Sequence, residues 1–278
     1  MDDRNLRAYM AELVGTFAFV FLTAAAVCVN YLGMLPPTPM TVAIGSGLVG
    51  SLVYAAALAI TVPISGGYLN PAVTIMLWVF RRLSGSKTVG LIGVQILGSA
   101  LAGTALYFLV AIRDDVALAS HVGAPVVSDA LKYSSLSLLK GIGLEFVLTA
   151  IVVFVIFGTA VDSRIKEAAG GWVGRLSFVW IGLALAAVTI VGSPLTGAAL
   201  NPARWFGPAL WDLRQGGSFQ FHAVYWVGPI AGALVAGWVY TALILPAEVG
   251  ERLIQTGTTR SGSFGAAAVG SGLARSKK

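Results

Sequence analysis

Six long apolar blocks, separated by short polar breaks, fill most of the chain, near positions 8–32, 40–62, 88–112, 140–161, 173–191 and 221–245. Each is long enough to cross a bilayer as a helix, which takes roughly 20 residues. Two shorter apolar segments, 71–80 and 202–211, interrupt the series. About ten residues make roughly 15 Å of helix. That is half of a ~30 Å hydrocarbon core, so neither can cross alone. Each short segment opens on the same phrase. The first copy reads Ser65-Gly66-Gly67-Tyr68-Leu69-Asn70-Pro71-Ala72, the second Thr196-Gly197-Ala198-Ala199-Leu200-Asn201-Pro202-Ala203. The pattern predicts an all-α integral membrane protein of six transmembrane helices plus two re-entrant half-helices.

The order of elements repeats. A first span carries a Glu: Glu12 in Ala-Glu-Leu-Val-Gly-Thr-Phe, Glu145 in Leu-Glu-Phe-Val-Leu-Thr. A second span follows, then the Asn-Pro-Ala phrase, a half-helix and a third span. The third spans also echo each other, Gly98-Ser-Ala-Leu-Ala-Gly103 against Gly232-Ala-Leu-Val-Ala-Gly237. Three spans is an odd number, so the second half enters the membrane upside down. Inverted repeats of this kind place a functional site near the bilayer midplane. The expected organisation is one channel-like domain over 1–245, with repeats near 5–113 and 138–245. Residues 246–278, rich in Gly, Ser, Thr and Ala with scattered charge, are expected to form a disordered cytoplasmic tail.

Composition fixes the solvent. Charged residues are 11% of the chain, apolar residues 57%, and mean hydropathy is +0.84; a soluble domain carries about 25% charge. The net charge of +6 would suit nucleic acid or anionic lipid, but its placement reads as a topology signal. With a cytoplasmic N-terminus, the cytoplasmic segments hold Arg4, Arg7, Arg81, Arg82, Lys87, Arg164, Lys166 and Arg175, and the tail adds five more. The outer side keeps Arg113, Lys132, Lys140, Arg204 and Arg214. This asymmetry predicts both termini inside and no nucleic-acid partner. The first block is too long for a signal-peptide core and is read as retained. The single cysteine, Cys28, excludes an intrachain disulfide.

The doubled phrase has a physical logic. Asn is a strong N-cap, and Pro fits the first helical turn, where its missing N–H costs nothing. Ala is small, so two caps can approach. With each side-chain oxygen tied to its own helix, Asn70 and Asn201 would turn amide N–H donors toward a shared space. Both helix N-termini would add about half a positive charge each. A neutral acceptor such as water is welcome there and a cation is not. The extended approaches, 65–69 and 192–200, are tolerated at that depth only if buried or lining a wet path.

Buried ionisable groups narrow the function further. Glu12 and Glu145 are either proton carriers of a transporter or acceptors for the backbone of the re-entrant approaches; one Glu and one approach per half favours the second role. Gln95 is a candidate helper. His121 and His222, two isolated histidines, with one cysteine make no metal site, and no cofactor motif is present. No Ser-His-Asp arrangement or nucleotide loop suggests an enzyme. Arg204, one turn into the second half-helix, is permanently charged with five donors. Beside a pore it would bond neutral solutes and exclude cations.

On these residues the chain resembles the major intrinsic protein family, the aquaporins and glycerol facilitators, over about 5–245. The resemblance implies a homotetramer with one pore per subunit and passive, bidirectional flow of water or small neutral solutes. It also implies an outer selectivity filter of four residues. By spacing from the motifs these are Gly50, Thr189, Ala198 and Arg204. A slip of one turn would put Val49 or Tyr54 in place of Gly50 and narrow the pore. Water-only members place Phe and His at the first two positions; glycerol-type members place Trp and Gly there, with Phe third. This chain has neither set, and its small residues resemble the filter of a plant nodulin-like subgroup of solute channels. Tyr225-Trp226 resembles the water type. Where glycerol-type members have Asp, Trp205 stands, packing on span one or six or refilling space near Arg204.

Overall fold

The computed structural model describes residues 3–33, 35–111, 113–166, 168–214 and 221–245, and these are helical throughout apart from turns and extended connections. The tail expected beyond residue 245 lies outside the described residues. In chain order the helices are α1 (Asp3–Cys28, continued by a 3-10 turn to Leu32), α2 (Pro39–Thr61), α3 (Pro71–Val79) and α4 (Gly85–Leu109). The central connection carries α5 (Asp114–Ala119) and α6 (Asp129–Lys132). Then come α7 (Ser137–Ile156), which ends in a π-turn over Phe157–Val161, and the short α8 (Ser163–Lys166) and α9 (Trp172–Arg175). The chain closes with α10 (Ser177–Thr196), α11 (Pro202–Arg214) and α12 (His222–Val239), which ends in a π-turn over Tyr240–Ile244. Six of these helices are long and apolar enough to cross a membrane. Their outer faces carry exposed Leu52, Val89, Leu183 and Val191, the apolar surface that lipid covers.

Local sequence sets the helix starts. Thr38 caps α2 by accepting the Thr41 N–H at 3.2 Å, with Pro39 in the first turn. Ser84 does the same for α4. Asn70 caps α3, followed at once by Pro71.

Two boundary differences bear on the half-helices. The fifth span runs to Thr196 rather than 191, so the second approach is only four residues, Gly197–Leu200. Gly197, at φ 77°, ends it by turning left-handed and donating its N–H to the Ser193 carbonyl at 3.0 Å. The second half-helix runs to Arg214 rather than 211. Its extra turn is anchored by Trp211, which stacks on Tyr107 of α4 at 4.4 Å and donates to Thr104 Oγ1 at 3.1 Å.

The packing interlocks the two halves. Helix α1 packs against α2 and α4, and α7 packs against α10 and α12. Across the halves, α2 lies along α10, α11 lies mainly on α4, and α3 lies mainly on α12. Each half-helix thus rests on the third span of the other half. Close approach depends on glycine: a Cβ on Gly98 would lie 2.5 Å from the Leu13 carbonyl oxygen, and one on Gly232 would run into the Phe146 carbonyl. Small residues let apolar helices meet backbone to backbone, where packing rather than the hydrophobic effect drives association.

Candidate functional site

The tips of α3 and α11 meet through reciprocal hydrogen bonds. Asn70 Oδ1 accepts the Ala72 N–H at 2.9 Å, and Asn201 Oδ1 accepts the Ala203 N–H at 2.9 Å. The amide nitrogens cross over: Asn70 Nδ2 donates to the Leu200 carbonyl at 3.0 Å, and Asn201 Nδ2 donates to the Leu69 carbonyl at 2.8 Å. The sequence reading expected both N–H groups of each amide to face outward. One of the two is instead spent on the opposite approach, which couples the halves, and one remains.

The crossover requires strained backbone. Leu69 has φ 51°, Leu200 has φ 54° and Ala198 has φ 45°, a left-handed region that costs a non-glycine residue about 1–3 kcal/mol. The buried carboxylates hold it. Glu12 accepts from Ser65 Oγ at 2.7 Å, the Tyr68 N–H at 2.8 Å, the Leu69 N–H at 2.7 Å and Gln95 Nε2 at 2.8 Å. Glu145 accepts from Thr196 Oγ1 at 2.7 Å, the Ala199 N–H at 3.0 Å and the Leu200 N–H at 2.8 Å. Leu69 and Leu200 therefore have their donors satisfied by charge-assisted bonds, roughly twice as strong as neutral ones, while the Ala198 N–H goes to the Thr196 hydroxyl at 3.3 Å.

Two adjoining cavities border the crossover. The inner one is lined by Asn70, Asn201, Tyr54, Val73 and Thr149 among others. The second contains all four spacing-matched residues, Gly50, Thr189, Ala198 and Arg204. Phe19, Leu185 and Ala199 line both, so the cavities share walls. Tyr54 lines the inner cavity, whereas Gly50 lines the second together with Arg204. Pro71 and Pro202 open the half-helices, and Ala72 and Ala203 are fully buried between them. Arg204 is 4% exposed, and its Nη1 has no hydrogen-bond partner among the described residues.

Trp205 takes the first of the alternatives read from sequence. It is buried and stacks on Tyr225 of α12 at 5.5 Å, with the His222 ring 6.5 Å away. The space beside Gly50 is occupied by a different residue. A Cβ on Gly50 would meet Thr23 Cγ2 at 2.8 Å and Oγ1 at 2.9 Å. Thr23, on α1, lines the second cavity together with Ser46. Its hydroxyl donates to the Phe19 carbonyl at 2.6 Å, and that of Ser46 donates to the Val42 carbonyl at 2.8 Å. Both oxygens keep only acceptor capacity, facing a cavity that also holds the donor-only guanidinium.

Sequence reasoning missed Thr23 and Ser46 because no motif marks them. It also passed over Thr149, whose buried hydroxyl has no partner among the described residues. A signal was available, since Thr16 and Thr149 each follow the buried Glu by four positions, and both lack a partner among the described residues. The central connection, which carried no motif, proves to be packed in. Ser128 N–H bonds the Leu195 carbonyl at 2.8 Å, Pro125 abuts Gly197, and His121 Nδ1 lies 3.0 Å from Asp212 Oδ1 on α11. Among the described residues no group of three His, Cys, Asp or Glu gathers to hold a metal.

A profile of the family described as Major intrinsic protein matches residues 2–240. The chain belongs to that family. Its relatives include Aquaporin TIP4-4 of Zea mays, 35% identical over 88% of this chain and 89% of that protein. Probable aquaporin AqpM of Archaeoglobus fulgidus is 33% identical over 85% of this chain and 96% of its own length. Among solved structures, the aquaglyceroporin from Plasmodium falciparum superposes with a TM-score of 0.71 at 23% identity, covering 89% of this chain and 99% of that one. That likeness shares the fold of this major intrinsic protein. Like the family at large, it is a multi-pass membrane channel and not an enzyme.

Proposed function

We propose that this major intrinsic protein is a passive channel for water that also admits small uncharged solutes and excludes protons and ions. The observation that carries this is the crossed pair of asparagine caps. It leaves one N–H on each of Asn70 and Asn201, beside a cavity both residues line. A solute oxygen passing there accepts from both amides while two helix N-termini repel positive charge. Further along, Arg204 donates and the Thr23 and Ser46 oxygens accept, so a molecule with both hydrogen-bonding roles replaces its lost hydration. Gly50, Thr189 and Ala198 complete the selectivity filter around them. Asn70, Pro71, Ala72, Asn201, Pro202 and Ala203 form the midplane signature. The two halves act as inverted repeats of one domain over 1–245, in a homotetramer of a cell membrane with both termini cytoplasmic.

Glu12 and Glu145 serve as structural acceptors in this reading. Their oxygens already receive four and three donors, which ties both carboxylates to the re-entrant approaches. A second reading, a facilitator for glycerol, urea or a neutral hydroxide, is favoured by Trp205 lying away from the filter, which keeps it free of large aromatic groups beyond Phe19. Stopped-flow light scattering on proteoliposomes separates the two. Fast shrinkage in sucrose with glycerol re-swelling no faster than in empty vesicles means a water channel. Fast re-swelling in glycerol moves the assignment to the facilitator. No excess flux of either kind overturns both.

A further inference from the structure

Helix α11 carries Arg204, yet the turn that holds this residue is poorly tied to the rest of its own helix. In an unbroken α-helix the Gly207 N–H bonds the Ala203 carbonyl and the N–H of residue 208 bonds the Arg204 carbonyl. Residue 208 is a proline and has no N–H to give. At the preceding rung the hydroxyl of Ser99, on α4, intervenes. Ser99 Oγ accepts the Gly207 N–H at 2.8 Å and donates to the Ala203 carbonyl. A side chain inserted in the ladder in this way is a recognised cause of local bending. Ser99 is fully buried. It reaches the ladder because a Cβ on Gly207 would run into the Ser99 carbonyl, and a Cβ on Gly103 into the Gly207 carbonyl. Two glycines, Gly103 and Gly207, thus let one hydroxyl reach Ala203 and Gly207, on either side of Arg204.

The other half supplies a natural control. Counting from the capping asparagines, Arg204 corresponds to Val73, and counting along the glycine-spaced third spans, Ser99 corresponds to Ala233. The half-helix with no charge to aim rests on a residue with no hydroxyl. We infer that Ser99 is a positioning residue that sets the aim of the Arg204 guanidinium by bridging Ala203 and Gly207. The assignment rests on the channel reading above, in which Arg204 contacts the solute.

The test is a double-mutant cycle in proteoliposomes, with osmotic steps in sucrose and glycerol on wild type, Ser99→Ala, Arg204→Val and the double variant. Thr104→Val, which removes the hydrogen bond from Trp211 at the far end of α11, reports the effect of merely loosening that helix. Ser99→Ala is expected to change the glycerol-to-water permeability ratio by at least about threefold, to add nothing beside Arg204→Val, and to exceed the effect of Thr104→Val. A wild-type ratio in Ser99→Ala, or an equal shift with and without Arg204, overturns the assignment. Should Ser99→Ala fail to insert, Ser99→Cys carries the test: a shift beside Arg204 that vanishes beside Val supports it, and any other pattern overturns it. A wild type no more permeable than empty vesicles overturns the channel reading and this inference with it; a permeable wild type with an inert Ser99 overturns this inference alone.

Discussion

The two half-helices are alike at their tips and differ one turn later. Both begin with a capping asparagine, a proline and a buried alanine, and both asparagines reach across to the carbonyl before the other. Both approaches hang from a buried glutamate one span away. Beyond that, α3 is 9 residues long with Val73 and Thr74 in its first turn, and α11 is 13 residues long with Arg204 and Trp205 at the same places. Thr74 folds back on the Asn70 carbonyl at 2.9 Å and lies beside Gln95. Arg204 has a buried nitrogen with no partner among the described residues, beside the second cavity. The shared tip is a scaffold that fixes two donors where the half-helices meet. The unshared turn makes the two cavities differ, with a cation lining the second and only uncharged residues lining the first.

The largest effects should come from the glutamates. Glu12→Gln and Glu145→Gln each turn an acceptor oxygen into an NH2 that faces backbone donors, and a broken buried ionic network costs about 3–5 kcal/mol. Glu12, with four donors against three, should lose more, as read by thermal unfolding in detergent. Equal losses would show that the halves are braced by something other than these bonds. Next comes Arg204→Val, which makes α11 resemble α3. Losing one charge-assisted contact of about 1.5–3 kcal/mol should change glycerol selectivity on the order of tenfold or more, while water flux persists. Unchanged selectivity would mean the unshared turn is incidental.

The halves were legible in the sequence because duplication is visible without coordinates. The repeated Glu, the repeated phrase and the Gly-spaced third spans give element order and the half-helices, while Gly50 was singled out only through the family resemblance. What escaped were contacts between residues on different spans. Thr23 fills the space beside Gly50 from α1, and no spacing rule connects positions 23 and 50. Ser99 hydrogen-bonds a helix more than a hundred residues away. The central connection showed no motif because its role is to fit: Val122 and Val127 are buried there, with His121 and Val122 in left-handed backbone. Loop burial of that kind is set by shape and carries no periodicity.

Smaller effects sharpen the picture at the filter. Gly50→Ala forces a methyl against Thr23, an overpacking that costs about 1–3 kcal/mol and should lower glycerol flux more than water flux. Thr23→Ala should do the reverse, and the pair together should return toward wild type. Additive effects in that cycle would separate the two residues.

The smallest effect belongs to the end of the second half. Asp162 is fully buried, accepts from Arg164 Nη2 at 2.7 Å and Tyr240 Oη at 3.1 Å, and Arg164 also reaches the Ile244 carbonyl at 3.1 Å. Burial pushes its carboxyl upward, but the bonds from Arg164 and Tyr240 outweigh that and leave it below its ordinary value. The latch therefore contributes fully above about pH 4, the ordinary range of Asp, and is lost only as pH falls through the lower folded value. Asp162→Asn should cost about 1 kcal/mol at neutral pH, with no change in its effect between neutral and mildly acidic conditions. A loss that appears only on acidification from neutral would contradict this.

The central claim is that opposed half-helices with a cationic turn pass neutral molecules and reject protons. The most direct measurement records water and proton flux on the same proteoliposomes, by light scattering after an osmotic step and by an entrapped pH dye under a clamped potential. Water flux that scales with protein, with proton flux no greater than in empty vesicles, is the expected result. Proton flux that rises with protein alongside water flux, or osmotic shrinkage no faster than in empty vesicles, would contradict the account.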